Sequence, residues 1–377
     1  MSTGLFSVPG FEQLSRIPLY VPGKPIQEVQ RELGLTRIVK LASNENPWGP
    51  TEAVKARVAS MVAGSELEFE GLNLYPVSDG FYLRKRIAER KGVALDRVVL
   101  GNGSTEILEM VAKAAFLEKG SAVIPKHSFA LYGIATQTAG GRVIESRASA
   151  TELDVDDILR SVAADTRLVY LGHPNNPTGI RLERGAFEHL LRELREDIVL
   201  VVDQAYAEYE EPDDYLDAVA YLDERPNLLV LHTFSKIHAL AALRIGYGIG
   251  SKELMSLIER VRSPFNTNHL AQVAAEVAVQ DVAFETYSRQ KNTEARAAFL
   301  VEAGKHRCQL TGTGGNFVLM ETAFPAADLF KELLKRGVIV RPMHGYRFPN
   351  HVRVTFGKPE EMQIFWSAIG PLLDGGC

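Results

Sequence analysis

The chain has little cysteine and no long apolar run. Its 377 residues include only two cysteines, Cys308 and Cys377. Two thiols cannot supply a zinc site or a disulfide framework, and low cysteine use is typical of a reducing cytoplasm. No apolar run approaches the roughly 20 residues that a membrane helix needs. The first residues lack a basic stretch followed by an apolar core, so we expect a cytoplasmic protein without a signal peptide.

An excess of positive charge is also missing. The chain has 42 Lys and Arg against 47 Asp and Glu, which gives a net charge of -5 and a pI near 6.0. Because proteins that bind nucleic acid present a basic surface, this balance argues against a nucleic-acid partner. The nine histidines show no H-E-x-x-H or other ligand spacing. The sequence therefore predicts no metal site.

The fingerprints of nucleotide-binding proteins are absent too. Gly101-Asn102-Gly103-Ser104-Thr105 follows an apolar stretch and precedes a helical pattern, but it does not match G-x-G-x-x-G, and no Walker lysine follows. Glycines at a strand-to-helix turn still allow a phosphate to approach backbone N–H groups. A helix cap by Ser104 explains the same residues, so the segment by itself leaves both interpretations open.

Apolar strands alternate with helical segments between residues 97 and 250. Strands that are apolar on both faces and alternate with helices indicate a largely parallel α/β sheet. The pattern predicts strands at Val98–Leu100, Ala122–Ile124, Arg142–Ile144, Leu168–Leu171, Ile198–Val202, Leu228–Leu231 and Ile245–Ile249.

The composition changes at both ends of this region. Prolines in the first stretch predict an extended arm, since proline removes a donor and restricts its neighbour. After Ser263-Pro264-Phe265, long alanine-rich helices and then short strands predict a smaller α+β domain. We therefore expect an N-terminal arm (1–50), a large domain (51–262) and a small C-terminal domain (263–377).

Polar residues follow several of the predicted strands. Leu228–Leu231 runs into Thr233-Phe234-Ser235-Lys236, and Arg244 follows. Burial would lower the pKa of this lysine, and a neutral amine can form a Schiff base with an aldehyde. Asn175-Asn176 and Asp203 with Tyr206 also follow strands. Because ligands of parallel sheets bind beyond the carboxyl ends of the strands, these residues predict one site.

The same segments carry a resemblance to a known family. Pro174-Asn175-Asn176-Pro177-Thr178-Gly179, Asp203-Gln204-Ala205-Tyr206, Thr233-Phe234-Ser235-Lys236 and Arg244 resemble the fold-type I, pyridoxal-phosphate-dependent aminotransferases. The chain is most similar to histidinol-phosphate aminotransferases. The marks of that group are Tyr20-Val21-Pro22-Gly23-Lys24, Leu41-Ala42-Ser43-Asn44-Glu45-Asn46-Pro47, Leu74-Tyr75-Pro76, Gly101-Asn102-Gly103-Ser104, Tyr132 and Val340-Arg341-Pro342 before Arg353. This resemblance covers essentially the whole chain and implies a mostly parallel seven-stranded sheet between helices plus a smaller α+β domain. It also implies that the large domain binds the cofactor and that the N-terminal arm joins the small domain.

The resemblance also implies roles for individual residues toward pyridoxal 5'-phosphate. Lys236 would bind the cofactor and move a proton, and Asp203 would keep the pyridine nitrogen protonated. Tyr206 and Asn176 would bond the phenolic oxygen. The other implied cofactor residues are Gly103, Ser104, Thr105, Phe129, Thr233, Ser235 and Arg244, with Tyr75 reaching the cofactor of the neighbouring subunit of a homodimer. The implied substrate residues are Tyr20, Asn46, Arg341 and Arg353, and which arginine binds a substrate phosphate stays open.

The implied reaction is transamination between L-histidinol phosphate and 2-oxoglutarate, which gives imidazole acetol phosphate and L-glutamate in histidine biosynthesis. Two residues depart from the family pattern: Thr105 stands where many relatives carry an acid, and Arg347 interrupts a Gly-Tyr-Gly-type loop. The alternatives are an aminotransferase for aromatic amino acids or specialised metabolism, and a phosphothreonine decarboxylase. A transcription regulator built on this fold would need a basic helix-turn-helix segment, which we do not expect here.

Overall fold

The structure is a computed structural model that describes residues 10–20, 23–64, 71–212 and 215–375. Val21-Pro22 of the predicted arm and Cys377 lie outside the described residues. None of the helices within these ranges is long and apolar enough to cross a membrane. The same ranges contain no group of three or more His, Cys, Asp or Glu side chains that could hold a metal ion.

The described strands and helices are numbered in chain order. The strands are β1 (Val39–Lys40), β2 (Val98–Gly101), β3 (Ser121–Pro125), β4 (Arg142–Ser146), β5 (Thr166–Gly172), β6 (Val199–Asp203), β7 (Leu228–Thr233), β8 (Gly246–Ile249), β9 (Gln309–Thr311), β10 (Phe317–Glu321), β11 (Val338–Ile339), β12 (Arg341–Pro342) and β13 (His351–Thr355). The α-helices are α1 (Phe11–Leu14), α2 (Ile26–Leu33), α3 (Glu52–Ala63), α4 (Phe81–Lys91), α5 (Ser104–Ala115), α6 (Ala130–Thr138), α7 (Val155–Arg160), α8 (Arg184–Glu193), α9 (Lys252–Glu259), α10 (His269–Ala278), α11 (Val282–Ala303), α12 (Ala326–Lys335) and α13 (Pro359–Gly375).

A seven-stranded sheet, counted over the described residues, forms the centre of a large domain. Its order is β2-β8-β7-β6-β5-β3-β4. The strands β7, β6, β5, β3 and β4 run parallel to one another. Strand β8 is antiparallel to both of its neighbours, β2 and β7. The predicted strands all occur, and the predicted mostly parallel sheet is confirmed.

Alternate residues of the central strands pack into two apolar cores. Leu200 of β6 and Val230 of β7 belong to the core on one face, and Val201 and Leu229 belong to the core on the other. All four are fully buried. A sheet that helices cover on both faces requires apolar residues at every position, which is why the strands read as continuous apolar runs. The edge strand β4 is partly exposed and carries charge, as is usual for edges.

The small domain is built on an antiparallel sheet of order β12-β13-β10-β9, four strands among the residues described. Strand β1 of the N-terminal region pairs in parallel with β11, and Leu41 packs into the small-domain core. The segment around β1 therefore contacts the small domain. The exact domain boundaries at 50 and 262 stay a prediction.

We expect Leu229→Ala to lower the free energy of unfolding by about 2–5 kcal/mol, because it opens a cavity in a close-packed core. Leu257→Ala is the matched control, since the Leu257 side chain on α9 is 57% exposed. It should change stability by no more than about 0.5 kcal/mol. Urea unfolding of the two variants measures the difference, and equal losses would contradict the assigned core.

Candidate active site

A cavity of about 410 Å³ lies at the carboxyl ends of the central strands, between the large and small domains. The predicted site residues that line it are Tyr20, Ser104, Thr105, Phe129, Asn176, Asp203, Tyr206, Thr233, Ser235, Lys236, Arg244, Arg341 and Arg353. A larger cleft of about 1020 Å³ between α11 and α13 contains none of them. The chemistry of the lining, and not the volume, therefore identifies the site.

Lys236 lies in the turn that follows β7, inside this cavity. Its Nζ donates a hydrogen bond to the carbonyl of Ser43 at 3.1 Å and lies 5.6 Å from the ring centre of Tyr206. Burial, and secondarily the charge of Arg353, lowers the pKa of Lys236 from 10.5 to about 7. At neutral pH a large share of this amine is uncharged, as a nucleophile or a base requires.

Asp203 ends β6 and is almost fully buried. One carboxylate oxygen accepts a hydrogen bond from the Tyr132 hydroxyl at 2.9 Å, and the other accepts from the Ala205 N–H at 3.1 Å. Burial raises the pKa of Asp203, although these two hydrogen bonds oppose that effect. A buried carboxylate that faces a cavity is suited to a cationic N–H donor on a ligand. The sequence marked Tyr132 as a family residue but did not predict this contact.

Tyr206 is held by a residue that the sequence did not single out. The Tyr206 hydroxyl accepts a hydrogen bond from the side-chain amide of Asn44 at 2.9 Å. Asn44 is fully buried, has a left-handed backbone (φ 55°), and also accepts a hydrogen bond from Thr355. Burial raises the pKa of Tyr206 to about 12, so the hydroxyl stays protonated and can donate to a ligand.

Asn46 does not line the cavity, although the resemblance implied a substrate role. Its side-chain amide donates to the carbonyl of Ile237 at 2.8 Å and to the hydroxyl of Ser288 at 3.0 Å. Asn44 has a left-handed backbone and contacts Tyr206, whereas Asn46 anchors the segment after Lys236. The structure thus gives Asn46 a supporting contact outside the cavity.

A turn rich in hydrogen-bond donors closes one end of the cavity. Gly103 precedes α5 with a φ of 72°, and the helix begins at Ser104. A Cβ atom on Gly103 would lie 2.4 Å from a guanidinium nitrogen of Arg244. Arg244 also donates to the Ser235 hydroxyl at 3.2 Å. Free N–H groups at a helix start beside an arginine form a site for a phosphate.

Two arginines face each other at the small-domain side of the cavity. Arg341 of β12 and Arg353 of β13 are direct cross-strand partners. Arg353 is only 7% exposed, donates to the Asn176 side chain at 2.5 Å and to the Ala42 carbonyl at 2.7 Å, and has no carboxylate partner among the described residues. Like charges directly opposite each other destabilise a sheet, so this pair favours an anionic ligand.

The remaining predicted residues lie around the cavity or outside it. Phe129 contacts Tyr132 and Tyr20 edge-on, with ring centres 5.7 and 6.4 Å apart. The guanidinium of Arg341 lies 5.8 Å from the ring centre of Tyr20. Tyr75 is 81% exposed, stacks on Phe265 and does not reach the cavity of its own chain.

The charge of Arg353 contributes to the low pKa of Lys236, so Arg353→Met should raise that pKa. The rate at which an amine-selective reagent labels Lys236 should then reach its midpoint at a higher pH than in the parent protein, where we expect about 7. Arg260→Met, at the surface after α9, is the control and should leave the midpoint unchanged. An unchanged midpoint in Arg353→Met would contradict the assigned electrostatics.

Comparison with known proteins gives concordant matches over nearly the whole chain. A family model described as aminotransferase class I and II matches residues 36–369. Histidinol-phosphate aminotransferase 2 of Methylococcus capsulatus is 41% identical over 379 residues, which cover 99% of this chain and 100% of that relative. Histidinol-phosphate aminotransferase 2 of Pseudomonas aeruginosa is 41% identical over 375 residues, or 97% of each chain.

A solved structure confirms the fold. Histidinol-phosphate aminotransferase from Sinorhizobium meliloti, in complex with pyridoxal-5'-phosphate, has a TM-score of 0.84 over 99% of this chain and 98% of that chain, at 22% identity. The expected fold-type I arrangement is therefore confirmed. With a family model that spans most of its length and relatives of this similarity, the chain belongs to the class I and II aminotransferase family.

Proposed function

We propose that this aminotransferase uses pyridoxal 5'-phosphate to transfer an amino group between L-histidinol phosphate and 2-oxoglutarate, in the cytoplasm. The observation that carries the proposal is the buried Lys236, with a pKa near 7, in one cavity with Asp203 and a pair of arginines. The two relatives compared above, both named histidinol-phosphate aminotransferase, are 41% identical to this chain.

The cavity fits the cofactor at three separated points. The turn at Gly103 and Ser104, with Arg244 and Ser235, would hold the phosphate. Asp203 would pair with a protonated ring nitrogen, and Lys236 would bind the aldehyde carbon. The positive φ of Gly103 favours glycine, and a Cβ there would meet the guanidinium of Arg244, which would also bind the phosphate. When bound, the cofactor supplies an electron sink for the substrate carbon that loses its proton.

The protein's own side chains would orient the cofactor and transfer the α-proton of the substrate. The amine of Lys236, once released by the incoming substrate, would take the α-proton and return it to the cofactor side, which its low pKa allows. Tyr132 fixes the carboxylate of Asp203 through their hydrogen bond. Tyr206, protonated and held by Asn44, would donate to the phenolic oxygen. The side chain of Asn176 would form a hydrogen bond to the same oxygen.

The two arginines would bind different anionic groups of the substrates. Arg353 is buried and bonded to Asn176, so it would bind the α-carboxylate of glutamate and 2-oxoglutarate near the reacting carbon. Arg341 lies further out beside the half-exposed Tyr20, so these two residues would bind the distal phosphate of histidinol phosphate. A bidentate guanidinium suits either group.

The purified protein with pyridoxal phosphate, L-histidinol phosphate and 2-oxoglutarate should form glutamate. Arg341→Met should raise the KM for histidinol phosphate by about 10-fold or more, since a charge-assisted hydrogen bond contributes roughly 1.5–3 kcal/mol. Arg353→Met should instead raise the KM for 2-oxoglutarate. Faster glutamate formation from phenylalanine or tyrosine would show that the amino donor is an aromatic amino acid. Release of carbon dioxide from phosphothreonine would indicate a decarboxylase.

We also propose a homodimer with shared active sites. Tyr75, Leu72, Leu74 and Phe265 are exposed apolar side chains, and Tyr75 and Phe265 stack with ring centres 4.5 Å apart. An exposed apolar patch of this kind is typical of an interface. Tyr75 would contribute to the cofactor phosphate of the neighbouring subunit across a twofold axis.

A mixed dimer tests this arrangement. Lys236→Ala and Tyr75→Ala homodimers should both have low activity at limiting cofactor, whereas a heterodimer of the two variants contains one intact site. It should recover about half of the parent activity, as expected for a shared site under twofold symmetry. Tyr82→Ala, exposed on the neighbouring helix α4, is the control and should behave like the parent protein. No recovery in the heterodimer would contradict shared sites.

A further inference from the structure

A set of contacts, which we term the clasp, joins the domains beside the mouth of the active-site cavity. Arg347 of the small domain donates from both terminal nitrogens to the two carboxylate oxygens of Glu145 on β4, at 2.9 and 3.1 Å. The ring nitrogen Nδ1 of His127 donates to the Tyr346 carbonyl at 2.6 Å, and the His127 ring stacks on Phe348 at 4.1 Å. Bidentate pairing is the strongest geometry for an arginine and a carboxylate.

Arg347 occupies a backbone position after a short helix at which glycine is the usual residue. Arg347 has a φ of 64°, a left-handed conformation that a glycine adopts without strain. The contact that the structure gives to the Arg347 side chain is the ion pair with Glu145. His127, the other polar end of the clasp, also has a left-handed backbone, with a φ of 60°. Strain of this kind persists where the surrounding contacts maintain it.

On each side of the clasp, residues that are close in sequence to Arg347 or His127 line the cavity. Tyr346 precedes Arg347 and lines the cavity, as does Arg341 earlier in the same hairpin. On the opposite wall, Phe129 follows His127 closely and also lines the cavity. The carbonyl of His127 accepts a hydrogen bond from Asn175, the neighbour of Asn176, at 3.0 Å. Movement of the clasp would therefore move both walls.

We propose that Glu145, Arg347 and His127 are positioning residues that hold the wall formed by Tyr346 and Arg341 over the cavity, and thereby set the affinity for the phosphorylated substrate. The choice of substrate in this statement rests on the proposed function. The clasp maintains the arrangement of the two domains that is competent to bind. When fewer molecules adopt that arrangement, the apparent affinity falls by the same factor.

Glu145→Gln removes the ion pair and should raise the KM for histidinol phosphate by about 3–10-fold, with less than about a twofold change in kcat, because the competent population falls. The increase should shrink as ionic strength rises, since exposed charges are screened. Asp197→Asn is the matched control. It breaks another exposed bidentate pair, with Arg195, away from the cavity, and should leave the KM unchanged.

Arg347→Gly separates positioning from stability. It removes the same ion pair but also the left-handed strain, so the KM should rise as in Glu145→Gln while the thermal unfolding temperature stays within about 2 °C of the parent value. A clasp that serves only stability would lower the unfolding temperature and leave the KM unchanged. That result, or a KM in Glu145→Gln equal to that of Asp197→Asn, would overturn the proposal.

Hydrogen exchange gives a readout that does not depend on the substrate. Backbone amides of residues 126–130 and 341–348 should exchange faster in Glu145→Gln than in Asp197→Asn, and equal exchange would overturn the proposal. If the parent protein does not turn over histidinol phosphate, the proposed substrate fails. The exchange comparison and the KM for the amino donor that the protein does use would still test the clasp.

Discussion

The burial of one amine between two domains is the constraint on which the site depends. Lys236 follows the fully buried strand β7, and its side chain lines the cavity. Taking an ammonium out of water is costly, so the amine loses its proton near neutral pH. The large domain places the lysine by its parallel sheet, and the small domain completes the cavity with Arg353. Neither domain alone would give the amine this environment.

The charges around the amine are arranged for ligands more than for stability. Arg353 has no carboxylate partner among the described residues and lies opposite Arg341. Asp203 is buried, and within the described part of the chain its oxygens accept hydrogen bonds from neutral donors only. Groups of this kind cost free energy until a ligand of complementary charge binds. The site therefore combines a carboxylate for a cationic ring nitrogen with separate donor sets for a phosphate and for substrate anions.

The sequence predicted the central sheet well, because a sheet covered on both faces needs continuous apolar strands and those are visible in the residues. The cavity-lining residues that follow strands were also predicted, since the carboxyl ends of parallel strands meet at one edge, whereas Tyr20, Phe129, Arg341 and Arg353 were implied by the family resemblance. Asn44 was missed in favour of Asn46, because its hydrogen bond to Tyr206 joins segments that are distant in the sequence. The bond between Tyr132 and Asp203 and the ion pair of Arg347 with Glu145 join distant segments, so no local pattern indicates them.

The most direct test of the central claim is to locate the bound cofactor on the chain. The protein saturated with pyridoxal phosphate is reduced with borohydride, which fixes a Schiff base as a stable amine, and is then digested and analysed by mass spectrometry. We predict that the phosphopyridoxyl mass is found on the peptide that contains Lys236. Modification of a different lysine, such as Lys291 in the larger cleft, or no modification at all, would contradict the assigned site.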